Sequence, residues 1–483
     1  MNRLKHMRPV LAVFFLAGCA IGPNYKRPTV EAPAAFRDQA TGSDRSFADI
    51  AWWEVYRDDR LKELIHAALV DGYDARIAAA RVEQSRAIAA RIHGQLFPAI
   101  AYEADADRGR NAVFGSPNAQ GTGSVTNGFD GFVGAAWELD LWGRVRRLNE
   151  QARSQYLSSE EARRGVLLSL VSQVATAYFE LLELDEELAI AHQETDSFGD
   201  SLKLFNQRLA GGIVSELETS SAEAAMATSA AQVPELERQI AIKENQISVL
   251  IGRSPGAIIR GARLSDQPVP PDVPAGLPSQ LLERRPDIRE AEENVRAANA
   301  GIGVIVGGFL PHIGLSAVLG AVSPQLDDIT SRKAGLWSVG AQATGPIFQG
   351  GGLRGQYLQA KEAWVEAKLQ YQQTALNAFA EVADALVSRQ KLAGVRGQQE
   401  RAVRAYQDAV RISMQRYTMG NASYYEVLQE QQLLFPAEVA LAQTRRNEFT
   451  AIIQLYQALG GGWNLKDATA WTGPGPVERA SPK

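Results

Sequence analysis

The segment RLAGGIVSELETS, residues 208–220, recurs in altered form as RYTMGNASYYEVL at residues 416–428. Aligning the two segments places Gly212 opposite Gly420, an offset of 208 residues. The same offset pairs three further positions: Ser215 with Ser423, Val174 with Val382 and Gly252 with Gly460. Similarity at a fixed offset indicates a duplicated structural unit, here of about 200 residues.

A second match lies upstream in each copy. GQLFPAIAYEA aligns with GGFLPHIGLSA, so that Pro98 falls opposite Pro311. The segment between the copies is rich in Pro and Gly, which is typical of a connector. The predicted division of the chain is a leader at 1–18, an N-terminal segment at 19–73, repeat 1 at 74–251, a connector at 252–285, repeat 2 at 286–462 and a tail at 463–483.

Each copy is predicted to contain one very long helix. Residues 145–208 contain no proline and few glycines, and apolar residues recur at helical spacing. Read as one helix, the segment is about 95 Å long, and residues 353–417 repeat the pattern. Since ordinary helices average about 11 to 12 residues, this length favours a coiled coil or a helical barrel. Two shorter helices, 74–95 and 215–251, would fit end to end beside the first long one.

The returning helix of repeat 2 carries two adjacent stripes at seven-residue spacing, apolar at every position except Glu448. They are Val427, Leu434, Leu441, Glu448 and Leu455, and Leu428, Phe435, Ala442, Phe449 and Tyr456. Two stripes on one helix favour a ring of helices with a neighbour on each side. An amphipathic helix in a plain bundle is the alternative. Pro234 and Pro436 are predicted to bend the two returning helices.

Four segments alternate apolar and polar residues over about 9 to 11 positions, a pattern typical of transmembrane barrel strands. They are residues 99–107, 132–142, 312–320 and 336–345. Four strands cannot close a barrel, and open sheet edges are not tolerated in lipid. Several chains must therefore share one barrel, and strand arithmetic leaves eight and twelve strands equally open.

The N-terminus is predicted to be an export signal. Basic residues precede a short apolar core, and Leu16-Ala17-Gly18-Cys19 resembles the lipobox of bacterial lipoproteins. Cys19, the only cysteine in 483 residues, is therefore the predicted lipidation site, with a chance cysteine in an uncleaved leader as the alternative. By resemblance to lipoprotein sorting, the Ala that follows it favours the outer membrane. No apolar run after Gly18 is expected to reach the length of a spanning helix.

The bulk composition is that of a globular protein, with 45% hydrophobic and 22% charged residues. The formal charge of −5 becomes about −8 once the three basic residues of the leader are removed, which argues against nucleic acid as a partner. The five histidines form no closely spaced pair, so no catalytic or metal site is expected. QGGGLRG, residues 349–355, lacks the Lys-Ser/Thr of a phosphate loop.

Three longer segments resemble outer membrane efflux factors of the TolC and OprM type. They are CAIGPNYKRPTVEAPAAF from Cys19, AWWEVYRDDRLKELIHAAL from Ala51 and LERRPDIREAEENVRAANAGIGVIVGGFLPHIGLS from Leu282. The lipobox and GPNYKRP resemble the NodT-like lipoprotein branch most. The resemblance covers the mature chain through YQALGGGW, which ends at Trp463.

This resemblance implies a mixed fold, mainly α with β, built from two repeats. Three chains would form a twelve-stranded transmembrane β-barrel, four strands per chain, that continues into a twelve-helix periplasmic α-barrel. The implied function is the outer membrane exit duct of a tripartite efflux pump. Its implied partners are two further copies of the chain, a periplasmic adaptor protein, an inner membrane pump of the RND type and outer membrane lipid, with no cofactor. By the same resemblance, the glycines of residues 349–355 are expected to let a strand pass closely into a helix.

The turns between long and returning helices are the expected adaptor contacts. They are Gly211, Gly212, Ile213, Val214 and Ser215 in repeat 1, and Gly420, Asn421, Ala422 and Ser423 in repeat 2. Each glycine suits a left-handed helix end and each serine a helix N-cap. Simple turns without a binding role are the alternative.

The closed end of the tunnel is expected near the second turn, at Tyr425, Glu426 and Gln429. Family members place gate residues at the matching positions, often with a carboxylate opposite Gln429, where this chain departs. Glu426 from three chains would still bring like charges together; a solvated helix face is the alternative. A structural or adhesive trimeric coiled-coil lipoprotein is the competing function, and the cargo is not encoded in any recognised pattern.

Overall fold

The computed structural model describes residues 20–36, 46–110, 125–268, 276 and 278–461. The chain divides into two compact units. Unit 1 comprises residues 1–29, 81–160 and 290–372, and unit 2 comprises 30–80, 161–289 and 373–483. The units do not coincide with the sequence repeats, because each repeat contributes residues to both.

The helices of the first half, in chain order, are α1 (Trp52–Val55), α2 (Asp59–Asp71), α3 (Tyr73–His93), α4 (Arg144–Ala210), α5 (Glu216–Ala230) and α6 (Gln232–Leu250). Those of the second half are α7 (Pro278–Arg284), α8 (Pro286–Gly307), α9 (Gly352–Thr418) and α10 (Tyr424–Ala458). Helices α4 and α9 have 67 residues each. The two predicted long helices are therefore confirmed, with ends within two residues of those expected.

All four predicted strands lie in unit 1. They are β1 (Ala99–Arg110), β2 (Val125–Leu139), β3 (His312–Ser323) and β4 (Gly335–Thr344), and they form one antiparallel sheet in sequence order. Ala135 pairs with Ile100 of β1 and with Ala317 of β3, so the β2–β3 ladder joins the two repeats. A shallow groove on one sheet face is lined by Ile100, Val133, Ala135, Ala317, Leu319, Trp337 and Val339. The opposite face carries Glu103, Asp105 and Asp130 by strand alternation.

Strand β2 ends earlier than predicted, at Leu139 instead of Trp142. The reason is the Asp140 carboxylate, which accepts hydrogen bonds from the backbone N–H groups of Val145 (3.0 Å) and Arg146 (2.9 Å). These are unsatisfied donors at the start of α4, and a carboxylate there also opposes the positive end of the helix dipole. The Asp140 side chain therefore caps the start of α4, and the residue does not extend the strand.

Residues 20–27 form an extended strap bound to helices of unit 1. The Arg147 side chain, only 5% exposed, donates to the carbonyl oxygen of Ile21 (3.1 Å) and to Asn24 Oδ1 (2.8 Å). Gly22 has φ 101°, and a Cβ there would lie 2.5 Å from the Gly303 Cα. The strap therefore requires both a buried guanidinium and a glycine at its closest approach to α8.

Four helix ends in unit 2 are closed in the same way. Gly212, Gly252, Gly420 and Gly460 have φ between 71° and 77°. After α4 the Ile213 N–H donates to the Arg208 carbonyl (2.9 Å), and after α9 the Asn421 N–H donates to the Arg416 carbonyl (2.9 Å). This is the hydrogen bonding of a Schellman motif, which needs a left-handed residue and so favours glycine.

Two of these glycines also mark where helices meet end to end. A Cβ on Gly252, after α6, would lie 2.5 Å from the carbonyl oxygen of Asp71, just before α3. A Cβ on Gly460, after α10, would lie 3.3 Å from the Cα of Arg285, just before α8. The predicted end-to-end arrangement of the two shorter helices is therefore confirmed in repeat 1, and repeat 2 shows the same arrangement.

The returning segment of repeat 1 differs from the prediction, and the two repeats differ from each other here. In repeat 1 the segment predicted as one helix over 215–251 is divided at Ala231 into α5 and α6. Pro234 lies in the first turn of α6, where a backbone N–H would have no acceptor within the helix. The N–H that proline lacks therefore costs no hydrogen bond here. In repeat 2, α10 stays helical through Pro436. The two prolines are therefore not equivalent, although the sequence treats them alike.

Unit 2 holds the main hydrophobic core. Phe179 of α4 stacks on Phe449 of α10 with ring centroids 4.4 Å apart. Beside them the Tyr178 hydroxyl donates to Asp58 Oδ2 (2.9 Å) and accepts from the Gly261 N–H (2.9 Å). Burial raises the Tyr178 pKa, so this phenol stays neutral. The core thus ties α4 and α10 to the loops of the connector.

Among the described helices, α4 contains an 18-residue window apolar enough by length and composition to cross a membrane. The expectation that no apolar run after Gly18 reaches that length is therefore wrong. The window is 67% buried, which is also what a core helix shows.

Two glycines of residues 349–355 lie in the short connection between β4 and α9. Gly350 and Gly351 have φ of 56° and 87°, yet nothing lies within 4 Å of a Cβ placed on either. Their conformation, and not a close approach, requires glycine in this chain. The architecture as a whole confirms the predicted class, mainly α with β.

Candidate functional site

The two helix turns predicted as contacts are brought together at one place in unit 2. Phe205 and Ala222 of repeat 1 form a buried cluster with Tyr417, Tyr424 and Val427 of repeat 2. The Phe205 and Tyr424 rings have centroids 4.1 Å apart and meet edge to face. We call this set the aromatic cluster. It joins both turns into one surface.

Both tyrosines of the aromatic cluster have buried hydroxyl groups without a hydrogen-bond partner of the usual geometry. Burial raises the pKa of Tyr417 and of Tyr424. The guanidinium carbon of Arg208 lies 4.6 Å from the centroid of the Tyr417 ring, close enough for a cation–π contact. The phenols of Tyr417 and Tyr424 are therefore neutral, and the Tyr417 ring contacts a cation from repeat 1.

The first turn, Gly211–Ser215, exposes an apolar residue at its tip. Ile213 is 74% exposed and Val214 packs against the aromatic cluster. Ser215 is the N-cap of α5, and its backbone N–H donates to the Glu218 carboxylate (2.8 Å). A Cβ on Gly212 would meet nothing within 4 Å, so the glycine is required by its φ and not by crowding.

The second turn has the same backbone with other side-chain partners. Asn421 and Ala422 follow Gly420, and Ser423 is the N-cap of α10 without a side-chain hydrogen bond to the helix. Glu426 pairs with Arg416 at 2.8 Å. This ion pair links the end of α9 to the first turn of α10.

The three predicted gate residues lie along the first turns of α10. Tyr425 is 73% exposed, Gln429 is exposed and Glu426 is half-buried in its ion pair. Tyr425 and Gln429 are four residues apart and therefore share a helix face. The opposite face, with Tyr424 and Val427, is buried. In the single chain the gate residues thus face away from the core and are available to other chains or to a lumen.

Sequence reasoning missed the aromatic cluster and two exposed apolar residues beside the turns. Leu217 is 75% and Met419 is 74% exposed, and both lie within five residues of a turn glycine. Tyr417 and Tyr424 flank Gly420 at distances of three and four residues, which is a weak signal in the sequence. The contribution of Phe205 depends on the packing of α4 against α10 and has no local signal.

Farther from the turns, a groove of about 420 Å³ lies among α4, α5 and α10. It is lined by Glu194, Phe198, Ser221, Thr228, Ser229 and Gln432. Burial, and secondarily the charge of Glu438, raises the pKa of Glu194. Burial likewise raises the pKa of Glu438, whose Oε2 is buried without a partner. Two carboxyl groups therefore share a partly desolvated site.

Cys19 lies outside the described residues, so its predicted lipidation stays a prediction. Among the described residues, no group of three or more His, Cys, Asp or Glu side chains is placed to hold a metal ion.

The described chain thus combines one four-stranded sheet that has an apolar face with two long helices that end in turns with exposed apolar residues. The chain belongs to the outer membrane efflux protein family. The family's model matches residues 64–253 and 277–461, and these two stretches correspond closely to the two repeats.

Individual relatives agree with this assignment. The toluene efflux pump outer membrane protein TtgC of Pseudomonas putida is 34% identical over 460 residues, 94% of each chain. The cation efflux system protein CusC of Escherichia coli is 30% identical, covering 94% of this chain and 98% of the relative. The crystal structure of the open state of the MtrE outer membrane channel of Neisseria gonorrhoeae superposes with a TM-score of 0.82 at 29% identity, covering 92% of this chain and 98% of that one.

These relatives are efflux channels in the outer membrane, which confirms the predicted function class and location. The alternative, a scaffold or adhesive lipoprotein without transport, finds no support among them. The two relatives named for a cargo differ between toluene and a cation, so the family alone does not define the cargo of this chain.

Proposed function

We propose that this protein is the exit duct of a tripartite efflux pump and works as a homotrimer. The sheet carries the argument. Within the described chain β1 pairs only with β2, and β4 pairs only with β3. Unpaired backbone groups at such edges cost several kcal/mol each in lipid, so the edges must meet those of other copies. Three copies supply twelve strands, and the two long helices of each copy, with the shorter helices beside each of them, supply a twelve-helix tunnel in the periplasm.

Two measurements on the purified full-length protein test this proposal. Its mass in detergent should equal three chains, and in planar bilayers it should form discrete conducting channels. A monomeric mass, or a trimer that never conducts, contradicts the proposal. Conduction is passive in this scheme, since the energy comes from the inner membrane pump.

The two turns are proposed to receive a periplasmic adaptor protein, which connects the duct to an RND-type pump. Ile213, Leu217 and Met419 offer exposed apolar surface beside the turn glycines, and exposed apolar patches are typical of protein-binding sites. Gly212→Trp and Gly420→Trp should abolish adaptor cross-linking in trimers that still conduct. Gly394→Trp is the matched control, because Gly394 also meets nothing within 4 Å but lies inside α9. Normal cross-linking in both turn variants excludes the contact.

Tyr425, Glu426 and Gln429 are proposed to constrict the periplasmic end of the tunnel. Their exposure in the single chain supports this role, since the buried face of α10 is already occupied. Tyr425→Ala with Gln429→Ala should raise single-channel conductance, and Glu426→Gln should mainly lower cation selectivity. Glu218→Gln is the control, because Glu218 is the counterpart of Glu426 at the offset of 208 residues. Unchanged conductance and selectivity in the gate variants place the constriction elsewhere.

Cys19 is proposed to carry a lipid that anchors the mature N-terminus in the outer membrane. The strap of residues 20–27 supports an N-terminus held close to the sheet of unit 1. Mass spectrometry of the mature N-terminal peptide should show a diacylglycerol-modified cysteine, and an unmodified thiol contradicts the proposal. Because one lipid gives only marginal attachment, Cys19→Ser should lower abundance more than conductance per channel.

A further inference from the structure

The internal repeat contains information about contacts between chains that a single chain does not show directly. The exposed edges of the sheet carry large apolar residues: Ile100 and Tyr102 on β1 are 75% and 86% exposed, and Trp337 and Val339 on β4 are 75% exposed each. The inference below rests on the proposed homotrimer and specifies how these two edges meet.

The two strand pairs of the chain are related by simple shifts in numbering. Adding 213 to β1 positions and 208 to β2 positions converts the pair Ala99 and Ala136 into His312 and Thr344, which is the observed pairing of β3 with β4. At the other end, Asp107 with Gly128 becomes Gly320 with Leu336, also observed. The β1–β2 hairpin and the β3–β4 hairpin therefore share one register throughout.

The same shifts can be applied to the ladder that joins the hairpins. Since β2 corresponds to β4 and β3 to β1, the β2–β3 ladder is the template for pairing between β4 and the β1 strand of the next copy. The observed pair Ala135 with Ala317 becomes Ala343 with the partner's Ala104. We infer that β4 pairs antiparallel with the neighbouring β1 in this register, which also sets Ala341 opposite the partner's Ala106.

The side chains that this register brings together are compatible on the outer face. Leu139 with Ile313, observed within the chain, becomes Ile347 with the partner's Ile100. Ile347 is fully exposed in the single chain, and this pairing gives it an apolar neighbour. The next outward pair sets Gly345 opposite the partner's Tyr102, so a small residue meets a large one.

The inner face is equally compatible. Gln342 falls opposite the partner's Asp105 and Thr344 opposite the partner's Glu103, so each carboxylate faces a side chain that can donate a hydrogen bond. A slip by one residue would turn the carboxylates toward the apolar face, which strongly disfavours that register. Slips by two residues keep the faces and are the real competitors.

Four alanines allow a direct test against those competitors. Cysteines replacing Ala343 and Ala104, or Ala341 and Ala106, should form disulfides between chains. Replacing Ala341 and Ala104, or Ala343 and Ala106, tests slips by two residues in either direction. Directly opposite Cβ atoms in an antiparallel pair lie about 4.5–5.5 Å apart and diagonal ones about 7–8 Å, while a disulfide needs about 3.5–4.5 Å. Only the direct pairs are therefore expected to react readily.

The experiment uses the full-length protein in membranes, with mild oxidation followed by denaturing electrophoresis. The variant Ala135→Cys with Ala317→Cys is the matched control, because it is the same pair within one chain. Covalent dimers and trimers in the two direct variants, at yields near that of the control, support the register. Greater covalent oligomer in either shifted variant overturns it while leaving the trimer intact.

Two further outcomes separate this inference from the proposed function. A trimeric mass in detergent, with no cross-link in any of the four variants but a normal control disulfide, overturns pairing between β4 and β1. A mass below three chains overturns the homotrimer and this register together. Cys19 is the only native cysteine, and its replacement by Ser in a parallel series removes any contribution from it.

Discussion

The two turns beside the aromatic cluster have the same backbone and share an arginine and a glutamate at equivalent positions, yet these two residues make different contacts. Arg208 and Glu218 in repeat 1 correspond to Arg416 and Glu426 in repeat 2 at the offset of 208 residues. In repeat 2 the arginine pairs with the glutamate of its own turn. In repeat 1 the glutamate accepts from a backbone N–H, and the arginine reaches over Tyr417 of the other repeat.

The returning helices continue this difference. Helix α10 buries fifteen residues, whereas α5 and α6 together bury six. The two copies have therefore diverged. The returning helix of repeat 2 packs inward, whereas the returning helices of repeat 1 leave much of their surface exposed. In a ring of helices a free surface is what a neighbouring chain would cover, so the asymmetry separates contacts within a chain from contacts between chains.

The sharpest test of this asymmetry compares two residues at equivalent positions. Leu434 of α10 is 5% exposed and packs against Val403 and Leu441, whereas its counterpart Met226 is half-buried. Leu434→Ala should destabilise the protein by about 2–5 kcal/mol through lost burial and a cavity. Met226→Ala should cost clearly less. Thermal unfolding of the detergent-solubilised protein measures both, and equal losses would contradict the distinction.

Substitutions at the turn glycines test the backbone conformation that the two repeats share. Gly212→Ala and Gly420→Ala each place a Cβ in a left-handed conformation at a cost of about 1–2 kcal/mol, with no clash to add. We expect equal shifts in the thermal midpoint from both variants. Gly394→Ala should instead stabilise by roughly 0.5–1 kcal/mol, because that glycine lies inside a helix. Unequal losses at the two turns would show that one of them bears additional contacts.

A pH-dependent effect is expected on the inward-packed side, at Glu438. Its pKa is raised by burial, so the folded protein binds this proton more tightly than the unfolded chain. The ionised carboxylate therefore costs stability above the raised pKa, and the cost disappears once the pH falls below the ordinary glutamate value. Glu438→Gln should raise the thermal midpoint at about pH 7.5 and leave it nearly unchanged at about pH 4. A gain of the same size at both values would assign the effect to packing instead.

The smallest expected effect concerns Arg208 and Arg416, which make different contacts in the two repeats. The Arg416–Glu426 pair is about half exposed on both sides, and such pairs contribute about 0.2–1 kcal/mol. Arg416→Gln should lower stability within that range and lose its effect at high salt, because screening weakens exposed pairs. Arg208→Gln should show less dependence on salt, since its partner is a ring. Thermal midpoints at roughly 0.05 and 1 M salt distinguish the two.

The sequence predicts what depends on periodicity and misses what depends on packing. The offset of 208 residues, the long helices and the starts of three strands follow from local patterns, and their bounds agree with the structure within two residues. The predicted end of β2 is wrong because Asp140 fits both the alternation of a strand and the role of a helix cap. Only the position of α4 decides between these two roles. The division at Ala231 has no strong local signal, because Pro234 follows it and the comparable Pro436 is accommodated within α10.

The residues of the candidate site also divide into those with a local sequence signal and those that depend on packing. The turn glycines and serines were found because a left-handed residue followed by an N-cap is written in the local sequence. The aromatic cluster combines Phe205 with Tyr417 and Tyr424, which come from three helices, and their meeting is a tertiary event. The gate residues were expected from the family resemblance and from their nearness to the second turn, and their role in closing a tunnel depends on copies that the single chain does not contain.

The apolar centre of α4 has a consequence for how the protein is made. A protein of the outer membrane must first pass through the inner one, and α4 is apolar enough by length and composition to cross a membrane, as a buried core helix also can be. Ser169, Ser172 and Gln173 interrupt the stretch, and the Ser172 hydroxyl donates to the Leu168 carbonyl (3.1 Å) within the helix. These polar groups add little to a core that they partly occupy, but they lower the tendency to stop in transit. Secretion therefore limits how apolar this core helix can become, whatever its stability in the folded channel would favour.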